Sequence, residues 1–180
     1  MTDITFTRWQ VRLLACAVMG ALLLLVAPAR AQSFPLDAQW VPLTKNGVPI
    51  GDPLGDAQNS RDIVGDAATP AAYVYGDANN LFFRLRIDAE PLQSGATNYK
   101  PFGWACLMDT NQDILNYELS AGVDGIANPD VVEFRQNTIQ SSPDDPKDIA
   151  ETVLASYQPV THARQVSAPS TFGGTPDFFL

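Results

Sequence analysis

The run Asp109-Thr110-Asn111-Gln112-Asp113 places side-chain oxygens at the first, third and fifth positions of a short loop. A hard cation such as Ca2+ takes about six to eight oxygen ligands, and alternate residues of a tight turn can point several inward. Asp109, Asn111 and Asp113 are therefore candidate metal ligands. The fit to a full calcium loop is incomplete. Ile114 stands where a glycine is needed and Ser120 where a bidentate carboxylate is expected, with Glu118 as the nearest substitute. The same five residues also read as a metal-free Asx turn between two strands. A second acidic set is Asp52, Asp56, Asp62 and Asp66, interleaved with Gly51, Gly55 and Gly65. It reads first as a solubilising surface and second as a calcium loop.

Aromatic faces stack on sugar rings, so Trp40 and Trp104 are candidate ligand-binding residues for a polysaccharide. Trp104 lies inside an apolar run, where packing is the commoner fate of an indole. Arg84 and Arg86 share one strand face and read as a solvated outer surface or an anion site. His162 is the sole histidine, so no His-pair zinc site or HExxH motif exists. The chain has no GxSxG elbow, P-loop or GxGxxG. Paired carboxylates for glycoside hydrolysis depend on spacing in space, so a hydrolase stays a third-ranked reading and no catalytic residue is assigned.

These residues need elements to position them. Residues 81–88, LFFRLRID, put Leu81, Phe83, Leu85 and Ile87 on one face and Phe82, Arg84, Arg86 and Asp88 on the other. That period of two predicts a strand. With a strand at 71–75 and a turn at 76–80, it predicts a hairpin. Further strands are predicted at 40–43, 48–50, 102–108, 115–123, 130–135, 138–140 and 160–166, and a last one begins at 177. Asp148 and Glu151 resemble a capping pair, which predicts a short helix over 148–157. Short strands separated by Gly, Pro and Asp turns predict an all-β fold. We expect an antiparallel β-sandwich or jelly-roll-like single domain. The apolar Phe178-Phe179-Leu180 ending predicts either an edge strand or a domain whose later strands are missing.

Residues 1–31 read as an address. Arg8 and Arg12 precede the uncharged run LLACAVMGALLLLVA, and Ala29-Arg30-Ala31 offers a cleavage site. A retained anchor and lipidation at Cys16 are the rival readings. Cleavage leaves residues 32–180, with 8 basic and 19 acidic side chains and a net charge of −11. That acidity argues against nucleic acid and against anionic membrane surfaces. No membrane insertion is expected after cleavage. One cysteine, Cys106, would remain, so the domain would hold no internal disulfide. In a buried strand it reads as a small core hydrophobe.

Several stretches resemble a group of secreted proteins of myxobacteria and similar bacteria whose role is uncharacterised. They are Arg61-Asp62-Ile63-Val64-Gly65-Asp66, Pro70-Ala71-Ala72-Tyr73, Leu81-Phe82-Phe83-Arg84-Leu85-Arg86, Pro101-Phe102-Gly103-Trp104, residues 123–130 and Phe172-Gly173-Gly174. The likeness spans most of residues 40–180 and implies a chain that runs on past Asp177-Phe178-Phe179. More distantly, the strand–turn–strand with its aromatic-Phe-Arg run is similar to sandwich domains of the carbohydrate-binding family 9 and DOMON type. That resemblance implies a sandwich that binds sugars, haem or other ligands, in some relatives with structural calcium. The expected function is a non-enzymatic secreted, periplasmic or cell-surface bacterial module that binds a glycan or a surface partner. A calcium-stabilised structural surface module is the alternative.

Overall fold

The computed structural model describes residues 33–58, 60–93, 97–113, 116–139 and 150–180. The expected signal segment, the loop at 141–147, Asp148 and the Ile114-Leu115 pair lie outside the described residues. The account below concerns the unit Gln32–Leu180.

Strand β5, Leu81–Ile87, organises one sheet. On one flank it pairs antiparallel with β4, Ala72–Gly76, which in turn pairs with β1, Val41–Pro42. Asp77 closes the β4–β5 hairpin by accepting the Asn79 and Asn80 N–H groups at 2.8 and 2.7 Å. On the other flank lie β11, Phe178–Phe179, and then β10, Val166–Ser167. The C-terminal strand therefore sits inside this sheet and not at its edge. Thr44–Lys45 (β2) and Val48–Pro49 (β3) make a separate hairpin turned by Asn46 and Gly47. The second sheet is a four-stranded meander: β6 Gly103–Met108, β7 Leu119–Asp124, β8 Val131–Gln136 and β9 Thr152–Tyr157.

The fold is all-β and antiparallel, as the patterning predicts. The inward row of β5 supplies Leu85 and Ile87, and β4 supplies Ala72. They meet Trp104 of β6 and Tyr99 in one buried cluster. Burying each large apolar side chain of this kind contributes roughly 1.5–3 kcal/mol. Trp104 is only 2% exposed. Its ring meets Phe102 and Tyr99 edge-on at 5.4 and 6.1 Å, and its indole N–H donates to the Arg61 carbonyl at 3.1 Å.

Four expectations are corrected. Residues 152–157 are strand, not helix. Thr152, Val153 and Tyr157 suit a pleated ladder, and β8 offers an antiparallel partner. Glu151, read as a helix-capping residue, instead accepts the Thr138 N–H at 2.8 Å. That bond belongs to an irregular segment at 138–139, where a strand was expected. Residues 160–166 are mostly not strand. They form one helical turn, α1, Pro159–His162, with proline at its start, where a missing N–H costs nothing. The fourth concerns Arg84 and Arg86, 8% and 2% exposed; their strand face is buried, not solvated. Phe82 and Asp88 on that face are buried as well.

Candidate functional site

Backbone groups of an antiparallel strand point alternately to its two neighbours. In β5, Arg86 donates its N–H to Ala71 on the β4 flank at 2.8 Å, whereas Leu85 and Leu180 exchange both bonds on the other, at 2.9 and 3.0 Å. By this parity the N–H and C=O of Leu81 and Phe83 also face the β11 flank. The partners there are Phe178 opposite Ile87, Phe179 opposite Arg86, and Leu180 beside Leu85. Among the described residues, nothing is registered on that flank opposite Leu81, Phe82, Phe83 or Arg84.

Beside this flank lies a cleft of about 720 Å³. Residues from both faces of β5 line it, Phe83 and Leu85 from one and Phe82 and Arg84 from the other. This follows if the cleft runs along the strand's edge. The facing sheet contributes Cys106, Ala121, Val123, Val132 and Phe134, all half-buried. At the mouth, Tyr157 of β9 stacks on His162 of α1, with ring centroids 4.2 Å apart and planes 23° apart. Thr161 Oγ1 lies 2.7 Å from His162 Nδ1. The size and apolar lining match those of ligand pockets, typically ~300–1,000 Å³.

The cleft's thiol gives a direct test of its dryness. Burial pushes Cys106 up to about 11 from its ordinary 9.0. The thiolate is the nucleophile, so at pH 8 alkylation by iodoacetamide is expected to run about a hundredfold slower than for a free thiol. The rate should keep rising through pH 10. Ordinary reactivity at pH 8, read by mass spectrometry, would show the cleft to be wet.

Of the sequence-predicted residues, Trp40 and Trp104 both line this cleft, whereas Asp109, Asn111 and Asp113 do not. Trp104 is enclosed at 2% exposure, with Phe102 and Tyr99 against its ring, so it reaches the cleft from the core side. Trp40 is half-buried beside Arg84, whose guanidinium lies 4.7 Å from the indole centroid. The same guanidinium meets the rings of Tyr73 and Phe179 at 4.6 and 3.9 Å and Asp37 Oδ1 at 3.1 Å. Arg84 is thus held in an aromatic box and is not presented to an anion. The Asp109–Asp113 stretch is built as an Asx turn. Asp109 Oδ1 accepts the N–H groups of Asn111 and Gln112 at 3.0 and 2.8 Å, and Asn111 Oδ1 accepts that of Asp113 at 2.7 Å. Glu118 folds onto the turn and accepts from Thr110 N–H at 2.7 Å.

No family model, curated protein or solved structure matches this chain. The site is therefore read from its own geometry. Among the described residues no group of three or more His, Cys, Asp or Glu side chains converges to hold a metal. No described helix is long and apolar enough to cross a membrane. Part of the lining escaped the sequence reading. Phe134 and Tyr157 lie in segments read as ordinary strand and as helix. The one local sign for the mouth was Pro159, which favours a helix start over a strand.

Proposed function

We propose that this chain is a secreted or cell-surface, non-enzymatic binding module. It takes an extended polypeptide segment of a partner into the cleft between its sheets. The observation that carries this reading is the apolar cleft of about 720 Å³ beside β5, lined by residues of both sheets. Strand addition along β5 would supply affinity through main-chain bonds and selectivity through alternate side chains. The occupant would run antiparallel to β5, in line with β11, with apolar residues opposite Leu81 and Phe83. An acidic chain of net charge −9 favours basic flanks on the partner. The secreted assignment rests on the layout of residues 1–31. A glycan platform is less well supported, because of the two candidates Trp40 and Trp104 only Trp40 is near the surface.

A peptide of alternating Val and Thr with lysine flanks provides the test, followed by calorimetry. We expect a Kd between about 1 and 100 μM, the range of a few main-chain bonds with one or two apolar anchors. N-methylation at the residue opposite Phe83 should weaken binding at least tenfold. Methylation one residue along, where the N–H points away from β5, should leave it unchanged. Equal affinity for both methylated peptides would rule out strand addition. No binding by any of the peptides, with Cys106 alkylation unaffected by them, would rule out the cleft as a peptide site.

A further inference from the structure

We infer that the loop bearing Asp56 and Asp62 is a divalent-cation site of the calcium type, independent of the cleft. Asp62 is 1% exposed. Its Oδ2 accepts the Gly55 N–H at 2.7 Å, but Oδ1 is buried and has no hydrogen-bond partner among the described residues. The Asp56 carboxyl, itself exposed, stands within hydrogen-bonding reach of Asp62. Two carboxylates so placed present acceptor to acceptor with no donor between them. Asp52 adds charge from the same loop, its backbone bridged to Gly65 by two bonds of 2.9 Å. Asp88 approaches from the end of β5. It is 1% exposed, and its Oδ1 accepts the Ser60 N–H at 2.6 Å.

The ion pairs among the described residues include none of these four acids. Arg86, the buried cation of the same sheet, is held by Asp177 at 2.8 Å. Lys100 Nζ is bound to Ser60 Oγ at 2.7 Å. A buried carboxylate without a counter-charge is costly unless a proton or a cation sits beside it. Calcium accepts carboxylate, main-chain carbonyl and water oxygens in an irregular shell. Asp62 would ligate from the buried side and Asp56 from the solvent side, with Asp52 and Asp88 contributing charge. Main-chain oxygens and water would complete the shell. With only two carboxylates converging, affinity belongs to the weak extracellular class, roughly 0.1–1 mM.

The test is a calcium titration of the full chain after chelation, read by thermal unfolding and calorimetry. We expect a midpoint between about 0.1 and 1 mM, a Tm rise of roughly 5 °C by 10 mM, and at least tenfold weaker response to magnesium. Asp56→Ala, at an exposed position, should abolish the response without affecting folding, and Asp62→Asn should do the same. Asp109→Asn with Asp113→Asn should leave it intact. The inference is overturned by a flat Tm up to 10 mM calcium. It is equally overturned if the response survives Asp56→Ala or is lost in the Asp109/Asp113 variant. Should Asp62→Asn fail to fold, Asp56→Ala decides alone.

Discussion

Asp177→Ala is expected to lower the free energy of unfolding by about 3–5 kcal/mol, the cost of removing one partner of a buried ion pair. Asp177 Oδ2 receives the Arg86 guanidinium at 2.8 Å, with the two side chains 0% and 3% exposed. The same oxygen accepts the Phe172 N–H at 2.8 Å. Arg86 also donates to the Ser170 carbonyl at 3.1 Å and stacks on Phe179 at 4.9 Å. Alanine would leave the guanidinium buried with carbonyl partners alone and orphan the Phe172 N–H. For a domain of this size the loss corresponds to a Tm drop of roughly 10 °C or more. The neighbouring pair sets the scale. Arg84 is held by Asp37, whose side chain is 89% exposed, so Asp37→Ala should cost less than about 1 kcal/mol. Replacing both buried partners, Arg86→Met with Asp177→Leu, should recover most of the loss, because a well-packed apolar pair carries no desolvation cost. Urea unfolding of the three variants decides it. A loss below about 1 kcal/mol for Asp177→Ala would show that the pair is hydrated.

The alternation of β5 was legible because a period of two needs only adjacent residues to be seen. What covers each face was not. Phe82, Arg84, Arg86 and Asp88 look like a solvated row, and nothing near them in sequence says otherwise. Their cover comes from afar: Trp40 and Asp37 from the start of the described chain, Phe179 and Asp177 from its end. Segment 152–157 failed for a related reason. Asp148 and Glu151 carry a local helix preference, yet β8 lies alongside and the ladder with it prevails. Trp104 was ambiguous only until its neighbours were known, since an indole among Ala, Cys and Leu suits a core. The cleft was illegible for a different reason. It is lined by residues from β5, β6, β7, β8 and β9, a meeting of distant segments that no single stretch of sequence displays. Asp62 shows the same limit. Four acids with glycines between them suggest a soluble loop as readily as a cation site. Only burial separates Asp62, which is enclosed, from Asp66, which is exposed and accepts the Ala68 and Thr69 N–H groups at 2.9 and 2.7 Å.

Gly65→Ala is expected to destabilise the domain by roughly 2–4 kcal/mol, combining a clash with a conformational penalty. Gly65 has φ +153°, and a Cβ there would lie 2.4 Å from the Thr69 carbonyl oxygen and 2.7 Å from the Ala71 nitrogen. Both are backbone atoms, so neither can swing aside. Their positions are fixed in turn. The Ala71 N–H donates to Ile50 at 3.0 Å, and the Thr69 carbonyl accepts from Asp66 at 2.9 Å. Relief would have to come from Gly65 itself, which exchanges two bonds with Asp52 at 2.9 Å each. That bridge is also a close approach, since a Cβ on Gly51 would lie 2.7 Å from the Gly65 oxygen. Shifting Gly65 therefore shifts Asp52 and the start of the acidic loop. Gly47→Ala is the matched control. Its φ is +80°, but a Cβ there meets nothing within 4 Å, so it should cost only about 1 kcal/mol. Denaturant unfolding separates the two, and equal losses would mean that backbone conformation alone, without the close approach, sets the requirement at Gly65. Because the bridge anchors the segment that carries Asp52 and leads to Asp56, Gly65→Ala should also move the calcium midpoint to higher concentration.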